Sequence, residues 1–294
     1  MIAKRFFSLT LLCCTITMIM AQGLGGKYLE SLTMKSDILG QERSYSIYLP
    51  PDYDVSNRLY PVLYLLNPSG ADHTSWEQNG NVKETADKGI ANGNVTPMII
   101  VMPDGHDGYF NNLIGTWRYE DFFFLEFMPY IEKTYKVRAK KAFRAVCGSS
   151  MGGGGAIGYA IRHTDMFAAS CPLSAAPGPR DYNEYLSQIK RKNGDDVVKK
   201  FTKEQLQTDY QEQNFIVKFG SLKGEQYKNV CAINWYFDCG DNDHLSARLA
   251  DMHSVMFNNK IPHEYRAGDG RHEWKYWREA LPGVLRFISE VFSK

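Results

Sequence analysis

Residues 143–155 read FRAVCGSSMGGGG, and the fold is decided there. Phe143 to Cys147 is a short apolar run without alternation, the pattern of a strand buried on both faces. Gly148-Ser149-Ser150-Met151-Gly152 then fits G-x-S-x-G, and the glycine-rich stretch from Gly152 to Arg162 has the pattern of a helix. Strand, tight turn, helix is the setting in which this motif marks a nucleophile elbow. A serine on such a turn sits in strained backbone, and the flanking glycines let the chain bend without Cβ clashes. The first amides and positive dipole end of the following helix favour a developing oxyanion. Ser150 occupies the central position and Ser149 does not.

Working outward, the same kind of apolar run recurs at Val62–Leu66, Met98–Met102, Phe167–Leu173 and Asn234–Phe237. Helical patterns lie between them: Tyr119–Tyr135 with Pro129 as a kink, Asp243–Asn259 and Lys275–Phe292. Strands alternating with helices predict a mostly parallel sheet covered on both faces and joined by right-handed crossovers. Arg43–Leu49 alternates instead, as a half-buried antiparallel strand should, and Pro50-Pro51 ends it. Gly23–Gly26 reads as a loose entry. Arg180–Asn229 is polar and charged and reads as surface helices inserted after a strand within a single domain spanning 22–294. It is either a solvated excursion or a cap that shapes a substrate groove.

A nucleophilic serine needs a base and an acid to orient it. His272 lies in the glycine-flanked loop GDGRHEW (268–274), between a short strand at His263–Arg266 and the last helix. His244 and His253 fall in a helical pattern and read as structural. His73 and His106, in loops after strands, read as lining residues. The acid is expected between Ser150 and His272 in the chain, and DCGDND (238–243) supplies it. Asp238 ends a strand; Asp241 and Asp243 both suit by spacing, and either could cap the next helix. The oxyanion hole needs two backbone donors. One is the N–H of Met151; the other comes from Asn67-Pro68-Ser69-Gly70, where Pro68 has no N–H and Ser69 does.

The chain has 294 residues, a formal charge of +1 and 44% hydrophobic residues. A full core can be buried, and near-neutral charge gives no reason to expect nucleic acid as a partner. Lys4 and Arg5 precede the apolar run Ser8–Met20, and a small residue, Ala21, follows. This predicts a signal peptide at 1–21, hence a secreted or periplasmic protein with no membrane attachment after cleavage. Lipidation at Cys13 or Cys14 lacks the small preceding residue such sites carry. Of the later cysteines, Cys147 and Cys171 read as buried free thiols. No cysteine pair has C-x-x-C spacing, so neither a metal site nor a cofactor is expected.

With these motifs in place, the sequence resembles the esterase branch of the α/β-hydrolases. This branch includes feruloyl and acetylxylan esterases of carbohydrate esterase family 1, S-formylglutathione hydrolases and mycobacterial mycolyltransferases. The resemblance covers nearly all of residues 22–294. It rests on YPVLYLLNPSG (60–70) with Trp76, MIIVMPDG (98–105), FMPYIEKTY (127–135), GSSMGGGGA (148–156), DCGDNDHL (238–245) and GDGRHEWKYW (268–277). It implies an α/β-hydrolase fold, a Ser150-His272-Asp243 triad with Asp243 as the acid, and no cofactor. Many relatives have His-Gly where this chain has Asn67-Pro68, so the resemblance leaves the acyl pocket open to change. Together with export it implies an ester-decorated polysaccharide as substrate, with Asn67, Trp76, Tyr109 and Trp117 near the cleft.

Overall fold

The computed structural model describes residues 25–105, 112–113 and 117–294. The expected signal segment, His106, Tyr109 and the Trp117 side chain lie outside the described residues. The strands are β1 (Lys27–Ser36), β2 (Gln41–Leu49), β3 (Val62–Leu66), β4 (Ile99–Pro103), β5 (Asn112–Leu113), β6 (Trp117–Arg118), β7 (Arg144–Ser149), β8 (Ala169–Leu173), β9 (Asn234–Gly240) and β10 (Glu264–Gly268). Eight of them form one sheet in the order β1-β2-β4-β3-β7-β8-β9-β10. β2 is antiparallel to both β1 and β4, and all pairings from β4 to β10 are parallel. The expected α/β-hydrolase architecture is therefore present, with β7, the nucleophile strand, near the middle of the sheet.

The apolar runs lack alternation because both faces of the sheet are covered. In β3, Val62, Tyr64 and Leu66 join a core shared with helices 119–134, 151–162 and 246–258, while Leu63 and Leu65 join a second core under helices 82–91 and 274–292. β1 escapes notice in the sequence for the opposite reason. It is an edge strand whose residues are mostly exposed, and a bulge between Leu29 and Leu32, with Ser31 at φ 57°, breaks its period. Pro129 sits where the helix changes form. Helical hydrogen bonding widens to the π form over Phe123–Phe127, just ahead of the proline, then resumes over Met128–Thr134. A proline cannot donate and crowds the carbonyl four residues earlier, which here is Leu125; a local widening relieves both.

The segment after β8 folds into helices Tyr182–Asn193, Lys203–Gln213, Phe215–Ser221 and Gly224–Cys231. Tyr185, Ile189, Val197 and Leu206 make a small core of its own. It docks on the residues following β8: Phe215 N donates to Pro177 O and Asn214 Nδ2 to Pro179 O; Arg248, on the helix Ser246–Asn258, donates to Gly178 O. Cys147 and Cys171 are buried, free thiols on adjacent strands, and burial pushes the Cys147 thiol well above its ordinary value.

Candidate active site

Ser150 sits between β7 and the helix Met151–Arg162 at φ 53°, ψ −112°, a conformation that few non-glycine residues adopt. Three backbone hydrogen bonds hold it there. Its N–H donates to Leu173 O, and its carbonyl accepts from Gly154 and Ala176. The turn closes only because Gly148 and Gly152 have no side chains. A Cβ on Gly148 would come within 2.5 Å of the Gly152 backbone, and one on Gly152 within 2.8 Å of Asn67 O. The strain is thus held by close backbone packing on the strand end of β3.

The structure brings the predicted serine, histidine and aspartate together. His272 Nε2 lies 2.8 Å from Ser150 Oγ, and His272 Nδ1 lies 2.8 Å from Asp243 Oδ2. A carboxylate only accepts, so Nδ1 carries the proton and Nε2 presents its lone pair to the serine hydroxyl. The Asp243 side chain is fully buried, and its other oxygen accepts from Leu245 N at 2.8 Å. Trp277 packs edge-on against the His272 ring at 5.1 Å. Asp241, equally suitable by spacing, is exposed and takes no part in this line; it accepts from Gly270 N at 3.2 Å and so clamps the histidine loop to the end of β9. Neither aspartate accepts a side-chain cap at the helix that follows, which begins at Ser246 after Leu245.

Met151 N–H is the first of its helix, where the helical ladder supplies no acceptor. Ser69 lies in the exposed turn after β3. Asn67 is not a lining residue: it is buried, and its amide is used up internally. Nδ2 donates to Pro68 O and Ala71 O, while Oδ1 accepts from Gly105 N. It braces the turn carrying Ser69 against the segment after β4. Trp76 is likewise no groove wall. It is wholly buried, donates its indole N–H to Leu66 O, and meets Trp274 edge-on at 5.2 Å. Trp274 in turn meets Trp277 at 5.2 Å, so Trp76 begins an aromatic chain that ends on His272. His73 bonds Ser31 Oγ through Nε2.

Several neighbours of the site were missed in the sequence. His244 lies in a turn and not in a helix, with its ring edge-on to His272. Asp238 accepts from the hydroxyls of Tyr236 and Tyr276, and Tyr276 also accepts from Gly268 N. Burial, only partly offset by these hydroxyls, raises the Asp238 carboxyl above its ordinary value. Burial and the nearby Asp243 carboxylate push the Cys239 thiol up to about 12, so it stays a neutral packing group behind the acid. Such contacts carry no linear signal, because the partners meet only when β9, β10 and the last helix are in register.

A serine on a strained strand–helix turn, joined through histidine to a buried carboxylate at the carboxyl ends of the strands, defines an α/β-hydrolase. The chain belongs to the esterase family, whose model matches residues 36–288. An esterase of Mycobacterium tuberculosis is 28% identical over 275 residues, covering 85% of this chain. The chain spans 57% of the length of that relative. A solved ferulic acid esterase is 32% identical, with a TM-score of 0.80 over 92% of this chain and 99% of its own. The endo-1,4-β-xylanase/feruloyl esterase of Xylanibacter ruminicola is 33% identical over 47% of this chain and 20% of its own length. No helix among the described residues is long and apolar enough to cross a membrane.

Proposed function

We propose that this chain is a secreted serine carboxylic-ester hydrolase that removes feruloyl (hydroxycinnamoyl) or acetyl groups from plant cell-wall polysaccharide such as xylan. The observation that carries the chemistry is the unbroken hydrogen-bonded line from Ser150 Oγ through His272 to Asp243. His272 Nε2 takes the hydroxyl proton as Ser150 Oγ attacks the ester carbonyl. Asp243 steadies the resulting imidazolium. The N–H groups of Met151 and Ser69 receive the oxyanion. His272 then returns the proton to the departing sugar hydroxyl, leaving an acyl-serine. Water, deprotonated by the same nitrogen, releases the acid and restores Ser150.

Likeness to the ferulic acid esterase and to the xylanase/feruloyl esterase supports the acyl and polysaccharide part of the reading. The basic-then-apolar run at Lys4–Met20 supports export, and the helices between Tyr182 and Cys231, docked beside the strand end that holds Ser150, are suited to form one wall of the substrate groove. The test is a panel of methyl ferulate, acetylated xylan and p-nitrophenyl acetate on the wild-type chain and Ser150→Ala. The variant should lose roughly 10⁴- to 10⁶-fold in kcat while unfolding as the wild type does. Equal rates for the two proteins would end the hydrolase reading, and indifference to both cell-wall substrates would end the polysaccharide reading.

A further inference from the structure

His244 directly follows the acid, yet nothing in the proposed acyl transfer uses it. Its side chain is 67% exposed, whereas that of Asp243 is fully buried. Its ring stands edge-on to His272, with centroids 4.4 Å apart, and its Nδ1 lies 3.6 Å from Asp243 Oδ1. One donor atom from each of Asp243, His244 and His272 lies within 4.8 Å of the other two.

We propose that Asp243, His244 and His272 form a site for a borderline divalent cation of the Zn²⁺ kind, and that its occupation switches the hydrolase off. The switch rests on the reading of His272 as the base; the metal site does not. Two imidazoles and one carboxylate are a donor set that suits zinc, and hard cations such as Mg²⁺ prefer oxygen alone. Metal–ligand bonds of about 2.0–2.2 Å place tetrahedral donors roughly 3.3 Å apart. His272 Nδ1 lies 2.8 Å from Asp243 Oδ2 and His244 Nδ1 3.6 Å from Asp243 Oδ1, and with one donor atom from each residue already within 4.8 Å of the other two, turns of the side chains bring the three donors to that spacing. The exposed face of His244 gives the ion a way in and leaves a position for water. With only three protein donors, two of them the partners of an existing hydrogen bond, binding is reversible and unlike that of a structural site.

The inhibition follows from proton placement. A neutral imidazole carries one ring proton. A cation on Nδ1 of His272 takes that atom's lone pair, so the ring proton moves to Nε2. No proton leaves the site, and nothing is oxidised or reduced. Nε2–H can donate to Ser150 Oγ but can no longer accept its proton, and the hydroxyl loses its base. Asp243 meanwhile spends its charge on the metal.

The experiment titrates the metal-stripped chain with ZnCl₂ by calorimetry and, in parallel, follows p-nitrophenyl acetate hydrolysis, each protein scored against its own metal-free rate. The expected result is one Zn²⁺ per wild-type chain, activity that falls with occupancy and returns with EDTA, and no effect of Mg²⁺. His244→Ala should need at least about tenfold more zinc for the same fractional loss. Ser150→Ala should bind zinc as the wild type does, because the serine is not a ligand. That arm reads the site without any turnover, and zinc bound by a chain that hydrolyses no ester would remove the hydrolase reading and leave the metal site standing. Absence of calorimetric binding to both wild type and Ser150→Ala, or equal inhibition of wild type and His244→Ala, would overturn the proposal.

Discussion

Gly240, the last residue of β9, lies against the peptide of Gly270, so the strand that leads to Asp243 and the loop that carries His272 touch backbone to backbone. A Cβ at position 240 would collide with the Gly270 carbonyl, coming within 2.6 Å of its carbon and 3.0 Å of Arg271 N. Three hydrogen bonds sew the same seam: Asp241 N to Gly268 O, Asn242 N to Gly270 O, and Gly270 N to Asp241 Oδ1. Asp243 and His272 are 29 residues apart in sequence but are positioned by one shared contact.

Gly240→Ala should therefore push the histidine loop outward without touching the substrate. A misplacement of about 1 Å costs on the order of 10²-fold in rate. The expected outcome is a fall in kcat of that order with KM little changed, measured on p-nitrophenyl acetate. A variant with wild-type kcat would show that the loop position is set elsewhere.

Asp241 and Asp243 are two residues apart and do different work, which gives a paired test. Asp243→Asn removes the carboxylate that fixes the His272 tautomer and should lower kcat by about 10⁴-fold. Asp241→Asn keeps an oxygen able to accept from Gly270 N and should cost under about tenfold. Steady-state kinetics on both variants checks the assignment, and the reverse ranking would refute it.

The contrast between these two aspartates also shows what the sequence could and could not say. Order along the chain and local pattern were enough to single out Ser150 and His272, whose side chains meet in the structure, and the strands buried on both faces, because each rests on residues close in sequence. Choosing Asp243 over Asp241 needed either family likeness or the fold, since burial and reach to His272 are tertiary properties. Trp76 and Asn67 were misread for a related reason. An indole or an amide near a predicted cleft looks the same in sequence whether it faces solvent or, as here, gives its N–H to Leu66 O or to Pro68 O and Ala71 O. β1 was invisible because an exposed edge strand with a bulge has no sustained period.

Asn67→Ala would leave the Gly105 N–H and the Ala71 carbonyl without the partners they now have, while Pro68 O keeps the Ala71 N–H. Each buried polar group left unpaired costs about 1–3 kcal/mol. The turn carrying Ser69 should loosen, so both stability and turnover fall. Urea unfolding should show a lower midpoint, and kcat should drop about 10- to 100-fold. Loss of stability with unchanged kcat would mean that Ser69 N–H does not serve the oxyanion.

Glu120 predicts how the fold answers to acid. It anchors the far end of the nucleophile helix, accepting from Arg162 through Nη2 at 2.7 Å and Nε at 2.9 Å, with His163 Nε2 2.7 Å away. Burial works to raise its pKa, but the His163 and Arg162 contacts outweigh it, and the carboxyl titrates below its ordinary value of 4.5. A folded-state pKa that is depressed stabilises the native state above the unfolded value, and that contribution is lost as pH falls through the folded one. Glu120→Gln removes the charge at every pH and leaves Arg162 without its counterion, at a cost of roughly 3 kcal/mol near neutrality. The gap between wild type and variant, measured by urea unfolding, should shrink as pH falls below about 4.5. A gap that does not shrink below that pH would mean that the pair does not hold the helix end as its geometry indicates.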